Sequence, residues 1–572
     1  MRARDFESLC DTTYDVLVVG GGIHGLATAL DAAARGLKVA LVEAGDFAAA
    51  TSFNHQRTAH GGLRSLQSGR LDHARESIRE RRALARIAPR LLRPLPFIIG
   101  TYRASITSWT KNRLALRAAF RIDRWLGRHR NDGLEPELHL PRARLTSRAA
   151  TLKLFPGVNP SGLTGGANWY DYQIVHTNRL AIAFAEGADA RGARLVNYAE
   201  AVSALPPSPQ GASAPKHSQI AGMRVRDVTT GVESDVRARI TINAAGARVG
   251  DVMRMFGVQR DVPLLRAMNL VTSKPASDIA LAAPAFAKAS TSAKASADKP
   301  AGKPSAPRML TLVPWHGRAL IGTWQSDDRK QPGDLSVTPG EVEAFIADAN
   351  AAFPALKLTR EDVTLVHRGI VPAQKGKEGR MALLGASEVR DHAADAAPGA
   401  ISVIGVKYTT ARAVGARAAA LAAKRLGASV RRTNTDTAIL PGAGISDHEA
   451  LTIETARAVH LELAPPIITH LNAIYGDRSA AIVSLMAQRS DWRMPLVPGR
   501  PNVGAEVIHA IREEMACTVA DIVIRRTELG AAGHPGADVV KAIAAIAAEE
   551  LGWDADRRNR EVAAVDAFYS QT

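Results

Sequence analysis

The chain has 572 residues, enough for several domains with sizeable cores, and its 46% apolar content is that of a folded globular protein rather than a disordered or membrane-embedded one. Lysine and arginine number 73 against 56 acidic residues, a formal charge of +17 that points to an acidic partner such as a phosphorylated or carboxylated small molecule or an anionic lipid. Cys10 and Cys517 stand at opposite ends, so a disulfide framework or zinc ribbon is unsupported and a reducing cytoplasm is expected. No apolar run of signal-peptide length precedes Val16, and no stretch reaches the roughly 18 apolar residues of a membrane span, so any membrane contact is expected to be peripheral.

The first elements are the most informative. An apolar run, Val16 to Val19, ends in Gly20, Gly22 and Gly25; a helix of small residues follows, then a second apolar run, Lys38 to Val42, closed by Glu43. This order reads as strand, tight turn, helix and strand. The glycines admit a pyrophosphate to the backbone at a helix N-terminus, and Glu43, about 20 residues on, can accept hydrogen bonds from an adenosine ribose. His24, inside the turn, is expected on the surface of the first helical turn. A small-residue loop holds Thr51, Ser52, Arg57, His60, Gly61 and Gly62, and arginine-rich helical sequence runs from about Leu71 to Arg90.

Residues 109 to 130 are predicted to form a basic amphipathic helix. Arg113, Arg117, Arg121, Arg124 and Arg128 share one face, with Leu114, Ala118, Ile122, Trp125 and Leu126 opposed. Two readings stay open, a surface helix with its apolar face on the core and a helix lying on an anionic membrane. The segment NWYDYQ, which holds Trp169, Tyr170, Asp171 and Tyr172, is read as packing between domains. Another helix and a β-meander are expected over 165–205 and 219–249. The Ala-, Ser-, Lys- and Pro-rich stretch at about 275–308 is expected to be a disordered insert, because it has few side chains that could offset the cost of ordering it. Further strands follow at 359–372 and 400–406, and from about Arg431 the chain turns mostly helical.

From HGGLR (His60 to Arg64) onward the segments occur in a recognisable order: NAAG at Asn243 to Gly246, Pro314-Trp315, IGT at Ile321 to Thr323, and GVKYTTAR at Gly405 to Arg412. With the opening glycines they resemble the FAD-dependent glycerol-3-phosphate dehydrogenases and oxidases, within the wider D-amino-acid-oxidase-like flavoprotein class. The resemblance implies an α/β (α+β) architecture with three parts. These are a discontinuous Rossmann-like FAD-binding domain (14–100, 165–250 and 360–430), an antiparallel-sheet substrate domain (101–164 and 251–359) and a helical C-terminal domain (431–572).

It also implies FAD as cofactor, held by Gly20, Gly22, Gly25 and Glu43 at the ADP half and by Thr51 and Ser52 near the pyrophosphate. Arg57, Gly61, Gly62, Ala245, Gly246, Gly405, Lys407 and Thr410 fall along the flavin, with Thr410 a candidate helix cap. Oxidation of a secondary alcohol needs a base for the hydroxyl proton and a cation near the flavin anion. His60 has the chemistry of that base or of a residue orienting the flavin loop; Arg64 and Lys407 match basic residues near substrate phosphate and flavin. The implied reaction is oxidation of sn-glycerol 3-phosphate to dihydroxyacetone phosphate with electrons passed to quinone, on a peripheral membrane protein that could be a homodimer.

Three positions depart from the family pattern. Val371 stands where an arginine contributes to phosphate binding, with Arg368 close by as a possible replacement; GTWQ, with Trp324 and Gln325, replaces GTTD; and Ser65 follows HGGLR where tyrosine is common. They suggest as an alternative a related FAD oxidoreductase acting on another hydroxy or amino compound. No metal-ligand motif, phosphate-binding P-loop or nucleic-acid module is recognisable, so no metal and no nucleic acid are expected.

Overall fold

The structure is a computed structural model and describes residues 1, 4–63, 70–102, 113–207, 219–285, 308–326, 328–376, 381–428, 431–444 and 448–570. Its first sheet is built on Tyr14–Val19, which is apolar at every position after Asp15, as a strand covered on both faces requires. Val39–Val42 and Glu233–Asn243 flank it in parallel, with Arg194–Val196 beyond the former and Ala400–Ile404 beyond the latter. Glu388–Asp391 closes one edge antiparallel. Helices Ile23–Ala34, Thr177–Asp189 and Ala411–Arg425 cover one face, where Leu26, Leu30, Leu180 and Val414 meet Val16, Val18 and Leu41.

The second sheet is a ten-stranded, mostly antiparallel ribbon. Val363–Lys375, Leu264–Pro275, Arg318–Gln325, Arg308–Trp315 and Ala280–Ala285 alternate in direction; Ala280–Ala285 then joins Leu92–Tyr102 in parallel, and Leu163–Ile174 follows antiparallel. Thr58–Ala59 adds a short edge strand that brings the HGG loop to Tyr172 and Gln173. One face packs Met268, Leu310, Ile321 and Trp324 against Val342, Phe345 and Ala349 of helix Pro339–Ala352, whose start is fixed by a capping box between Thr338 and Glu341.

This sheet takes in Leu92–Tyr102, Leu163–Ile174 and Val363–Lys375, stretches that the sequence-based division placed largely in the cofactor domain. Ladder pairing decides their membership, and pairing over such separations leaves no local trace. The disorder expected from residue 275 also needs correcting. Ala280–Ala285 is a strand held on both sides, by Phe97 to Ile99 and by Arg308 to Leu312, and that pairing overrides the poor strand propensity of its alanines. Residues 286–307 lie outside the described residues.

The C-terminal helices, among them Gly504–Glu514, Ala537–Leu551 and Ala555–Ser570, dock on the opposite face of this sheet. Val507, Ile522, Val523, Val540 and Ile543 pack there on Val271, Leu320 and Leu365. Buried ion pairs reinforce the junction. Asp46 accepts from Arg525 Nε at 2.5 Å and from Arg526 Nη1 and Nη2 at 2.8 and 2.7 Å, and Glu514 accepts from Arg179 at 2.8 and 2.6 Å. Burial pushes the Asp46 carboxyl up, but the Arg526 and Arg525 charges outweigh it and hold the group well below the usual carboxylate range.

The basic helix runs from Arg113 to Leu126 and buries Leu116, Phe120 and Asp123. Ile122 and Trp125, expected on the packed face, stand at the surface with 40% and 57% exposure, because the buried stripe follows 116, 120 and 123. The Arg75 and Arg128 guanidinium groups lie 5.6 and 6.0 Å from the Trp125 ring centre. Among the described residues no helix is long and apolar enough to cross a membrane.

Candidate functional site

The glycine turn is closed by backbone. Gly20 has φ +109°, and a Cβ there would stand 2.6 Å from the Ala244 carbonyl oxygen; a Cβ on Gly25 would stand 1.8 Å from the Gly20 oxygen. Only glycine allows the first strand, the helix and the NAAG segment to meet this closely. Within that segment Asn243 Nδ2 donates to the Val249 carbonyl at 2.8 Å and its Oδ1 accepts from Ala245 N–H at 3.2 Å, which sets Ala245 and Gly246 beside the glycines. Gly22 caps helix Ile23–Ala34, and Ser52 Oγ accepts from Ile23 N–H at 3.0 Å. The Thr51 hydroxyl donates to the Ile370 carbonyl at 2.8 Å, tying this loop to the second sheet. Glu43 accepts from Gly21 N–H at 2.5 Å and Gly45 N–H at 2.9 Å; burial pushes its carboxyl up against the pull of those two bonds.

His24 is not the surface residue the sequence suggested. Its ring lies where a Cβ on Gly405 would be, 2.5 Å from Nδ1, and its Nε2 is buried without a hydrogen-bond partner among the described residues. Burial lowers its pKa to about 4. Gly405 therefore makes room for the helix at the end of strand Ala400–Ile404. Lys407 is half-buried at the start of the turn Tyr408–Thr410. Thr410 occupies the N-cap position of Ala411–Arg425 but makes no side-chain cap, contrary to expectation; its neighbour Thr409 instead accepts from His60 N–H at 3.0 Å. Arg412 forms a bidentate salt bridge with Glu80 at 2.7 and 2.6 Å.

Around His60 the structure adds a residue that the sequence reading did not place in the site. His60 Nδ1 is 3.2 Å from Asp171 Oδ2, and Gly61 N–H donates to Asp171 Oδ1 at 2.7 Å. Arg81 Nη1 reaches the same oxygen at 2.5 Å, and Trp169 Nε1 donates to Oδ2 at 3.3 Å. Burial pushes the Asp171 carboxyl up, but the hydrogen bond from His60 and the Arg81 charge hold it below the usual range, so it is an anion. A proton on Nδ1 satisfies this carboxylate and leaves Nε2 as the acceptor, on a side chain that is half exposed. Phe97 and Trp169, stacked 5.2 Å apart, form the adjoining wall. The acid in NWYDYQ was the only available signal, and its partner lay 111 positions away.

The other expected site residues differ in burial and contacts. Arg57 is fully buried with φ +54°, its guanidinium between the Phe53 and Trp315 rings at 5.0 and 4.8 Å. Its Nη2 lies 3.5 Å from His367 Nε2, while Nε and Nη1 have no hydrogen-bond partner among the described residues, and burial lowers its pKa to about 10. Gly62 lies against Ala74 and Ser77. Arg368 is buried on strand Val363–Lys375, where alternation puts it on the face opposite His367 and Val371. Trp324 does not line the His60 cleft: it is packed on Phe345 in the core of the second sheet. Arg64 and Ser65 lie outside the described residues.

A parallel sheet with a glycine turn and a ribose-type acid, joined to an antiparallel ribbon that supplies a His–Asp pair, defines a dinucleotide-dependent oxidoreductase. Residues 15–421 match the FAD dependent oxidoreductase family, and 433–558 match the C-terminal domain of alpha-glycerophosphate oxidase. A glycerol-3-phosphate dehydrogenase of Synechocystis sp. is 30% identical over 99% of this chain and 98% of its own, and one from Mycobacterium leprae is 28% identical over 99% and 90%. In fold, the chain is similar to the glycerol-3-phosphate dehydrogenase from Bacillus halodurans complexed with FAD (TM-score 0.72, 20% identity, 99% and 96% of the two chains). The chain belongs to the FAD-dependent oxidoreductase family, in its glycerol-3-phosphate dehydrogenase branch.

FAD is the cofactor, and the residues present fit it. The glycine turn leaves a cradle that a Cβ would fill, since one on Gly22 would stand 3.3 Å from Ser52 Oγ. His24 Nε2, His55 Nε2 and the Tyr408 hydroxyl, on the segments flanking that cradle, are buried polar atoms without a partner among the described residues.

Proposed function

We propose that the enzyme oxidises sn-glycerol 3-phosphate to dihydroxyacetone phosphate, and that quinone at an anionic membrane surface is the final electron acceptor. The observation that carries the chemistry is the His60–Asp171 pair. His60 Nε2 takes the proton of the C2 hydroxyl, and Asp171 holds Nδ1–H in place and stabilises the imidazolium that results. FAD, when bound, supplies the acceptor for the hydride that leaves C2 as the carbonyl forms. Lys407, at a strand-to-helix junction beside the HGG loop, provides positive charge at the flavin edge or the substrate phosphate, and Arg64 grips that phosphate; Arg368, buried on the face opposite Val371, does not replace the missing arginine.

The test is anaerobic reduction of the bound flavin. Bleaching by sn-glycerol 3-phosphate and not by glycerol supports the reading. Bleaching only by another hydroxy or amino compound supports the second reading, which Val371 favours: it pairs with Leu265 and offers no charge to a phosphate. With Arg64→Ala, KM for an anionic substrate should rise while flavin content stays normal.

Arg117, Arg121, Arg124, Ile122 and Trp125 are exposed together on helix Arg113–Leu126, which supports contact with an anionic surface. Vesicles containing anionic lipid should sediment the protein at low salt and lose it at high salt; absence of binding at low salt removes this part.

A further inference from the structure

Three side chains that the proposed reaction does not use converge at the seam between the second sheet and the C-terminal helices. His176 follows strand Leu163–Ile174 and stands at the N-cap of helix Thr177–Asp189. His316 lies in the turn joining Arg308–Trp315 to Arg318–Gln325. Glu528 follows the helical turn Asp521–Arg526 of the C-terminal domain. A ligand-capable atom of each lies within 4.8 Å of those of the other two. His176 Nδ1 meets Glu528 Oε2, and the two imidazole rings are centred 5.6 Å apart.

Two further observations single out this cluster. His316 (φ +48°) and Glu528 (φ +55°) both occupy the left-handed region, which non-glycine residues adopt only where their surroundings impose it, and both turn toward the same point. The Glu528 side chain is only 5% exposed, and its Oε2 faces His176 Nδ1 rather than solvent. His176 is buried while His316 is exposed, so the cluster is closed on the inside and open to solvent on the outside.

We propose that His176, His316 and Glu528 bind one divalent transition-metal ion of the zinc type. Two imidazole nitrogens and one carboxylate oxygen, without sulfur, suit a borderline cation and reject magnesium or calcium, which prefer oxygen ligands in greater number. The ion joins three separate parts of the chain and so staples the C-terminal domain to the sheet; it takes no part in the oxidation, and this inference does not depend on the substrate.

The experiment uses tag-free, FAD-loaded protein treated with a chelator and then dialysed against zinc, with cobalt as a spectroscopic probe. Expected are about one zinc retained per chain, a rise in thermal midpoint, and cobalt d–d bands in a difference spectrum taken against the metal-free holoenzyme. His316→Ala, at an exposed turn, and Glu528→Gln should each abolish all three while flavin content stays normal. No retained zinc in the wild type, or the same retention in His316→Ala, overturns the proposal. Should Glu528→Gln fail to fold, His316→Ala alone decides it.

Discussion

His60 and Asp171 share a contact of 3.2 Å between Nδ1 and Oδ2, and the residue after His60 binds the other oxygen of the same carboxylate through its N–H. The imidazole is thereby oriented by an anion that is itself fixed by Arg81. Asp171→Asn is expected to lower the rate of anaerobic flavin reduction by roughly 100-fold or more, within the range for a disabled general base. His60→Ala should cost at least as much, and the double variant little beyond it, because the two act as a unit. Additive losses in stopped-flow reduction would count against the pair.

His24 predicts an acid sensitivity of folding. Its pKa falls from 6.5 to about 4 on burial, so the unfolded chain takes up a proton that the folded one refuses. Stability is full above pH 6.5 and falls as the pH drops toward 4, by about 3 kcal/mol at most from this group. Urea midpoints of wild type and His24→Leu should diverge or converge by that amount between pH 7 and 4; a difference that does not change with pH refutes it.

Gly405→Ala places a methyl 2.5 Å from His24 Nδ1. Overpacking of this kind costs about 1–3 kcal/mol and should loosen flavin retention. His24→Ala should rescue much of it, and flavin content after gel filtration of the single and double variants reads the result.

Asp46→Ala leaves Arg525 and Arg526 buried without their shared carboxylate. Breaking a buried pair from one side costs up to about 3–5 kcal/mol, and the loss here falls at the lower end because Arg525 keeps Asp521 and Arg526 keeps Glu514. Chemical denaturation should show a loss of that size, with the C-terminal helices released first in hydrogen exchange.

The sequence carried the parts of the fold written over short distances. Gly20, Gly22, Gly25 and Glu43 lie within one strand-turn-helix-strand unit, and the structure closes them as a turn. Strand Ala280–Ala285 was hidden because alanine has little strand preference and its partners, Phe97 and Leu312, lie far off in the chain. Asp171 was hidden for the same reason: an acid between aromatic residues looks like packing until His60 and Arg81 are brought to it. The exposure of Trp125 shows the converse, an apolar pattern that can be laid on a helix more than one way until the partner surface selects the stripe.

Asp46 stands three positions past Glu43, in the same loop, yet its counter-ions belong to the far end of the chain. The two matched family segments, 15–421 and 433–558, suggest a place to cut, but a fragment ending between them keeps the acid and loses both cations. Truncation there would put an unneutralised charge directly behind the nucleotide loop. The two units match separate families but share a buried charge cluster, and the shorter one is best regarded as part of the nucleotide cradle's foundation.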